Sequence, residues 1–136
     1  MASGTAGTNA REYPHCLVHY RSKTVNFNDT GIGTGLSMGK IPAGSHVLHA
    51  NARISTAFNS AGTNRLVVGT NASSYNNIMT STVAAASTTG GKQSVIGGAL
   101  SFTQDTDIFV KYSAATGTAA TTGVATVTVA YIPRVQ

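Results

Sequence analysis

Asp107-Ile-Phe-Val-Lys-Tyr112 and Val124-Ala-Thr-Val-Thr-Val-Ala-Tyr131, separated by the loop 113–123, decide the fold class of this chain. In the first segment the apolar side chains fall mainly on even numbers (Ile108, Val110, Tyr112), with Asp107 and Lys111 between them. In the second they fall on odd numbers (Ala125, Val127, Val129, Tyr131), while Thr126 and Thr128 point the other way. Successive side chains of a strand point to opposite sides of its sheet, so a period of two marks a strand with one buried face. Two such strands on either side of a Gly/Thr/Ala loop predict an antiparallel hairpin. Neither strand offers a catalytic constellation.

Working outward, the same period governs 45–58. Leu48, Ala50, Ala52, Ile54 and Phe58 fall on one face, and His49, Asn51, Arg53 and Ser55 on the other. That pattern is a full-length strand with one solvated or partner-facing side. Upstream, Cys16-Leu-Val-His-Tyr20 and Thr24-Val-Asn-Phe27 read as two short strands turned at Arg21-Ser-Lys23. Asp29-Thr-Gly-Ile-Gly-Thr-Gly35 is a glycine-rich loop, followed by a strand at Leu36-Ser-Met38 and a turn at Ile41-Pro-Ala-Gly44. Downstream, Arg65-Leu-Val-Val-Gly69 is a strand, 71–79 is irregular, and 80–86 fits either a strand or a short helix. Thr88-Thr-Gly-Gly91 is a turn before strands at Ser94-Val-Ile96 and Gly98-Ala-Leu-Ser-Phe102. Seven to nine short strands with Gly-rich turns predict an all-β, single-domain, antiparallel β-sandwich of jelly-roll type with negligible helix. Residues 1–12 are small and polar without periodicity. They read as a flexible arm that orders on a partner, and 13–136 as the sandwich with a short C-terminal tail.

The composition narrows the function. Charged residues make up 10% of the 136, well below the roughly 25% of ordinary soluble domains. Gly, Ala, Ser, Thr and Asn fill the gap, which fits a β-protein whose outer surface is hydroxyl and amide. A low-charge surface relies less on repulsion to stay apart, so it suits a protein partly covered by neighbours. Nine Lys/Arg against four acids give a formal charge of +5, but the basic residues are scattered from Arg11 to Arg134. A nucleic-acid binder concentrates its positive charge on one face or helix, so direct nucleic-acid binding is not expected. Cys16 is the single cysteine, which excludes an intramolecular disulfide and a Cys-based zinc site. The N-terminus lacks the basic and apolar regions of a signal peptide. No apolar run approaches the about 18 residues of a membrane span, so no membrane partner is expected.

Several motifs resemble sites and do not carry them. Gly31-Ile-Gly-Thr-Gly35 has neither the dinucleotide spacing nor the Gly-Lys-Ser/Thr of a phosphate loop. On strands, His15 and His19 would stand about 13 Å apart, and His46 and His49 on opposite faces, so neither pair predicts a metal site. The acids are Glu12, Asp29, Asp105 and Asp107. Asp105 and Asp107 flank Thr106 at a turn, without the carboxyl pair across a cleft that glycoside hydrolysis needs. No Gly-x-Ser-x-Gly elbow occurs, so no enzyme and no cofactor are expected. Asn28-Asp-Thr30 and Asn71-Ala-Ser73 match a glycosylation pattern by chance in a chain read as unsecreted.

One resemblance covers roughly 40–133. It rests on the turn Ile41-Pro-Ala-Gly44 before a long alternating strand, on Thr63-Asn-Arg-Leu-Val-Val-Gly-Thr70, and on the closing segment from Asp107 to Tyr131. This pattern resembles small structural proteins of tailed-bacteriophage virions, in particular the jelly-roll cement, or decoration, protein of Bordetella-type short-tailed phages. The resemblance implies a protein on the outer surface of an icosahedral capsid, made in the bacterial host cytoplasm. As a homodimer it would tie neighbouring subunits of the phage major capsid protein together. It implies no catalytic residue.

On that reading the contacts are expected at Arg11, Tyr13, Arg21, Arg53 and Arg134. Arg and Tyr are the commonest interface anchors, and the net charge suits an acidic shell surface. The alternative is a host-attachment or glycan-binding module of a phage fibre or spike, since jelly rolls also serve as lectins. It predicts a cleft that gathers Tyr75, Asn76, Asn77 and Asp105.

Overall fold

A computed structural model describes residues 18–80, 85–114 and 119–133. Among these residues there are seven strands and no helix: β1 His19–Asn26, β2 Leu36–Ile41, β3 His46–Thr56, β4 Asn64–Gly69, β5 Gly90–Ser101, β6 Thr106–Ala114 and β7 Val124–Ile132. They form a four-stranded sheet in the order β1-β7-β3-β5 and a three-stranded sheet in the order β2-β6-β4. Every pairing is antiparallel. The two sheets make the expected all-β sandwich.

Each of these strands lies in the opposite sheet from the one before it. The predicted C-terminal hairpin is therefore absent: β6 pairs with β2 and β4, and β7 pairs with β1 and β3. The faces were nevertheless read correctly. Ile108 and Val110 are fully buried and Tyr112 nearly so, opposite Ala125, Val127 and Val129. Alternation reports which side of a strand is dry, and both strands face one core from opposite sheets. The loop between them joins the two sheets. At its far end Gly123 has a φ of 148°. A Cβ there would run into the Phe58 ring, which stacks on Tyr112 at 4.6 Å between centroids.

Aliphatic side chains from both inner faces fill the interior. Val25, Ile41, Val47, Ile54, Leu66, Val68 and Phe58 join the residues just named, all at most 2% exposed. Two polar groups enter this core as a pair. The Tyr112 hydroxyl donates to Asn64 Oδ1, and the same amide oxygen accepts the Ser60 backbone N–H at 3.0 Å. The Asn64 amide nitrogen donates back to the Ser60 carbonyl at 3.1 Å. Buried polar atoms paired in this way avoid the desolvation cost of an orphaned group.

Two irregularities displace sequence positions from where simple alternation puts them. The register of β3 shifts between Val47 and His49 against both of its neighbours. This bulge carries Val47, not Leu48, into the core, and it puts His46 and His49 on the same outer face, opposite Ile132 and Ala130. On the β5 side the partners step from Leu100 to Val95 at the same point. The two strands expected at 94–96 and 98–102 are thus one strand with an internal shift, and Gly90 and Gly91 begin that strand and form no part of a turn. The turn expected at 21–23 is also absent. β1 runs unbroken from His19 to Asn26 in register with β7, since Arg21-Ser-Lys23 contains no Gly or Pro to force a reversal.

Candidate interaction surfaces

The two sheets differ on the sides turned away from the core. The outer face of the three-stranded sheet carries Phe109 and Val67, and the chain covers it with the segment 70–79. Tyr75 stacks on Phe109 at 4.6 Å between ring centroids, and Lys111 Nζ donates to the Ser73 carbonyl at 2.8 Å. Val67 is 5% exposed despite facing outward. Asparagine side chains brace the covering segment. Asn71 Oδ1 accepts the Asn76 N–H at 2.8 Å, and Asn77 Oδ1 accepts the Thr70 N–H at 2.7 Å. Ser73 and Tyr75 sit at φ of 70° and 46°, a left-handed conformation held by these side-chain bonds. Isolated bridges from Val68 to Met79 and from Arg65 to Ala85 occupy the free edge of β4.

The outer face of the four-stranded sheet has no such cover among the described residues. Its cross-strand rows are Ser22–Thr128–Asn51–Gln93 and Thr24–Thr126–Arg53–Gly91. The hydroxyls of Ser22 and Thr128 share a hydrogen bond at 3.0 Å, and those of Thr24 and Thr126 one at 3.1 Å. Arg53 is exposed and has no hydrogen bond or ion pair within the described chain. By register it is the one Lys or Arg among the described residues at an outward-pointing position of this face, and Lys92 at the β5 edge lines a recess beside it. Tyr20, 60% exposed, ends the face on the β1 side. Around Arg53 the surface dips into this recess, lined by Asn51, Ala52, Gly90, Gly91, Lys92 and Gln93. The recess is shallow, and its polar lining is Asn51, Arg53, Lys92 and Gln93.

Charges also mark both free edges of this sheet. Arg21 and Lys23 on β1 pair with Val129 and Val127, and Lys92 on β5 pairs with Ala52, so all three take inward-pointing positions. Arg21 Nε donates to the Lys40 carbonyl of β2 at 2.8 Å and links the two sheets at their shared side. Lys92 Nζ reaches Thr88 Oγ1 at 3.2 Å. Inward-pointing cations on edge strands discourage edge-to-edge pairing with another chain.

The expected contact residues are not brought together as a set. Arg11, Tyr13 and Arg134 lie outside the described residues, as do the arm 1–12 and Cys16. Arg21 lies on the β1 edge with its guanidinium turned to the backbone of β2, and Arg53 stands on the bare face. The residues of the attachment reading have separate partners: Tyr75, Asn76 and Asn77 serve the cover segment, while Asp105 accepts the Ala43 N–H at 2.9 Å. Among the described residues no three His, Cys, Asp or Glu lie close enough together to hold a metal. The cover segment is the functional feature that sequence reasoning missed. Its signal was the density of asparagine between a Gly and an Ile-Met pair.

No protein-family model and no curated protein matches the chain. Solved structures do match. The fold is similar to that of a chain in the cyanophage Pam1 capsid asymmetric unit, with a TM-score of 0.60 and 24% sequence identity, over 98% of this chain and 100% of that one. It is also similar to a chain in the acid-stable capsid structure of Helicobacter pylori bacteriophage KHP30. That match has a TM-score of 0.56 and 12% identity, over 87% of this chain and 89% of the other. At these identities the likeness is one of fold, built from largely different side chains.

Proposed function

We propose that this chain is a structural protein of a phage virion that binds the outer surface of the capsid and cements neighbouring major capsid protein subunits. The observation that carries the reading is the end-to-end fold likeness to a chain of a phage capsid asymmetric unit. The sequence resemblance to phage cement proteins points the same way. The alternation of successive strands between sheets supports the jelly-roll form of that family, with the bridges at Met79 and Ala85 standing where an eighth strand would pair. The chain acts as a rigid spacer across a junction in the shell. The arm 1–12 and the tail beyond Pro133 reach neighbouring surfaces, and many weak contacts add through multivalency. Homodimerisation, implied by the resemblance, would double the contacts per docking event. No step of this function calls for catalysis.

Electron cryo-microscopy of heads with and without the protein tests the proposal. The expected result is density for a small β-sandwich on the outer shell, and heads that leak or rupture when it is missing. Density at a tail or spike, with intact heads in both preparations, would replace this reading with the attachment one.

A further inference from the structure

We propose that the outer face of the four-stranded sheet is the docking face for a protein surface that presents a carboxylate to Arg53, and that two copies of this chain do not pair through it. The inference rests on the virion reading, which makes that surface part of the capsid shell.

The argument begins with what the other surfaces are already doing. The outer face of the three-stranded sheet is occupied by 70–79 through the Tyr75–Phe109 stack, and the β4 edge by the bridges to Met79 and Ala85. The β1 and β5 edges carry inward-pointing cations, which work against strand addition. Among the described residues, the face of β1-β7-β3-β5 remains without cover.

Its chemistry selects the partner. The rows around Arg53 are hydroxyls and amides, with His46, His49, Ala130 and Ile132 further along the face, and a surface of hydroxyls and amides gives up its water at lower cost than a charged one. Hydroxyls that already bond to each other, as in Ser22–Thr128 and Thr24–Thr126, remain satisfied when the solvent leaves. Arg53 is the exception. Its guanidinium has no partner on the described chain, and an unpaired charge buried at an interface is costly. Whatever covers this face must therefore bring an acid. A carboxylate accepting two parallel N–H bonds from the guanidinium is the natural complement.

Among the described residues, a second copy of this face does not bring that acid. Of the described carboxylates, Asp29 binds the Asn26 backbone N–H in the turn after β1. Asp105 holds Ala43, and Asp107 lies opposite Lys40 on the other sheet at 3.9 Å. None of them lies on the four-stranded face. Face-to-face pairing of two copies would bury two unpaired guanidinium groups. A nucleic acid fits equally poorly, because Arg53 with Lys92 at the sheet edge falls short of the row of Lys and Arg that a phosphate backbone demands.

The test measures binding of the full chain to purified heads that lack it, by co-sedimentation over a range of protein concentrations. Arg53→Glu is expected to weaken binding at least tenfold and Arg53→Gln several-fold, with unchanged thermal melting. Lys40→Glu, the same change in charge on the opposite sheet, is expected to leave binding within twofold. Equal losses for Arg53→Glu and Lys40→Glu would reduce the effect to net charge and overturn the proposal. So would wild-type affinity in Arg53→Glu. Sedimentation of wild type as a dimer and of Arg53→Glu as a monomer would make this the self-association face, again overturning it. Failure of the wild type itself to bind heads would remove the virion reading, and this inference with it.

Discussion

The two sheets of this sandwich share one core and differ most on their outer faces. Inward, the four-stranded sheet presents Val, Ile and Ala side chains and the three-stranded sheet Val, Ile, Leu and Met. Outward, the three-stranded sheet shows Phe109 and Val67 and is covered by its own chain, whereas the four-stranded sheet shows mainly Thr, Ser, Asn and Gln around Arg53 and has no cover among the described residues. The difference separates two uses of a β-face. An apolar outer face is a second small core that the fold must close for itself. A hydroxyl and amide face is stable in water and can still be covered later by something else. Substitutions matched across the two faces test whether this distinction is real.

The largest contrast is expected at two glycines. A Cβ on Gly69 would stand 2.6 Å from the Tyr75 carbonyl carbon and 2.8 Å from the Asn76 nitrogen, both backbone atoms of the cover. Backbone cannot move aside as a side chain can, so Gly69→Ala must lift the segment off the sheet. The expected loss is about 3 kcal/mol, the upper end for overpacking. Gly91, at the start of β5 on the open sheet, has nothing within 4 Å of the same added atom. Gly91→Ala should leave stability within about 0.5 kcal/mol of wild type. Urea midpoints for both variants measure the gap, and equal midpoints would erase the distinction between the faces.

Two tyrosines give the next contrast. Tyr75→Ala removes the ring on Phe109 and is expected to cost about 2 kcal/mol, less than a fully buried aromatic because the ring is only partly enclosed. Tyr20→Ala, on the open face at 60% exposure, should cost under about 0.5 kcal/mol. Between these cases lies the bracing of the cover. Asn77→Ala leaves the Thr70 and Asn71 N–H groups without their acceptor, and the expected loss is about 1–2 kcal/mol. Faster hydrogen exchange at the Thr70 amide, with the exchange of β3 and β7 unchanged, would locate that loss in the cover alone.

These contrasts also explain which parts of the molecule were legible in its sequence. Side-chain alternation is local, and it assigned the buried sides of β6 and β7 correctly. Partner choice is not local: nothing in 107–131 distinguishes a hairpin from two strands facing each other across a core. Leu48 and Val47 exchanged roles because a bulge takes up one residue without any local marker, and that same bulge aligned His46 with His49. The position of Arg53 followed from alternation alone, since it lies beyond the bulge within the regular half of β3. The cover segment was not legible. Its path depends on Asn71 and Asn77 bonding to backbone several residues away and on non-glycine residues held at positive φ, and neither leaves a periodic trace.

The smallest expected effect is the most informative about the open face. Thr126→Val/Thr128→Val replaces two hydroxyls with methyls of nearly the same shape and removes the bonds to Thr24 and Ser22. Each lost hydroxyl pair is exposed and trades its bond for water, and valine favours a strand at least as well as threonine does. The net change in stability should therefore stay within about 0.5 kcal/mol in either direction. If the denaturant midpoint instead falls by an amount equal to about 2 kcal/mol, the hydroxyl rows are part of what holds the fold. The open face would then be as structural as the covered one. If stability holds while binding to heads declines, the fold does not need those hydroxyls, and what they serve lies outside this chain.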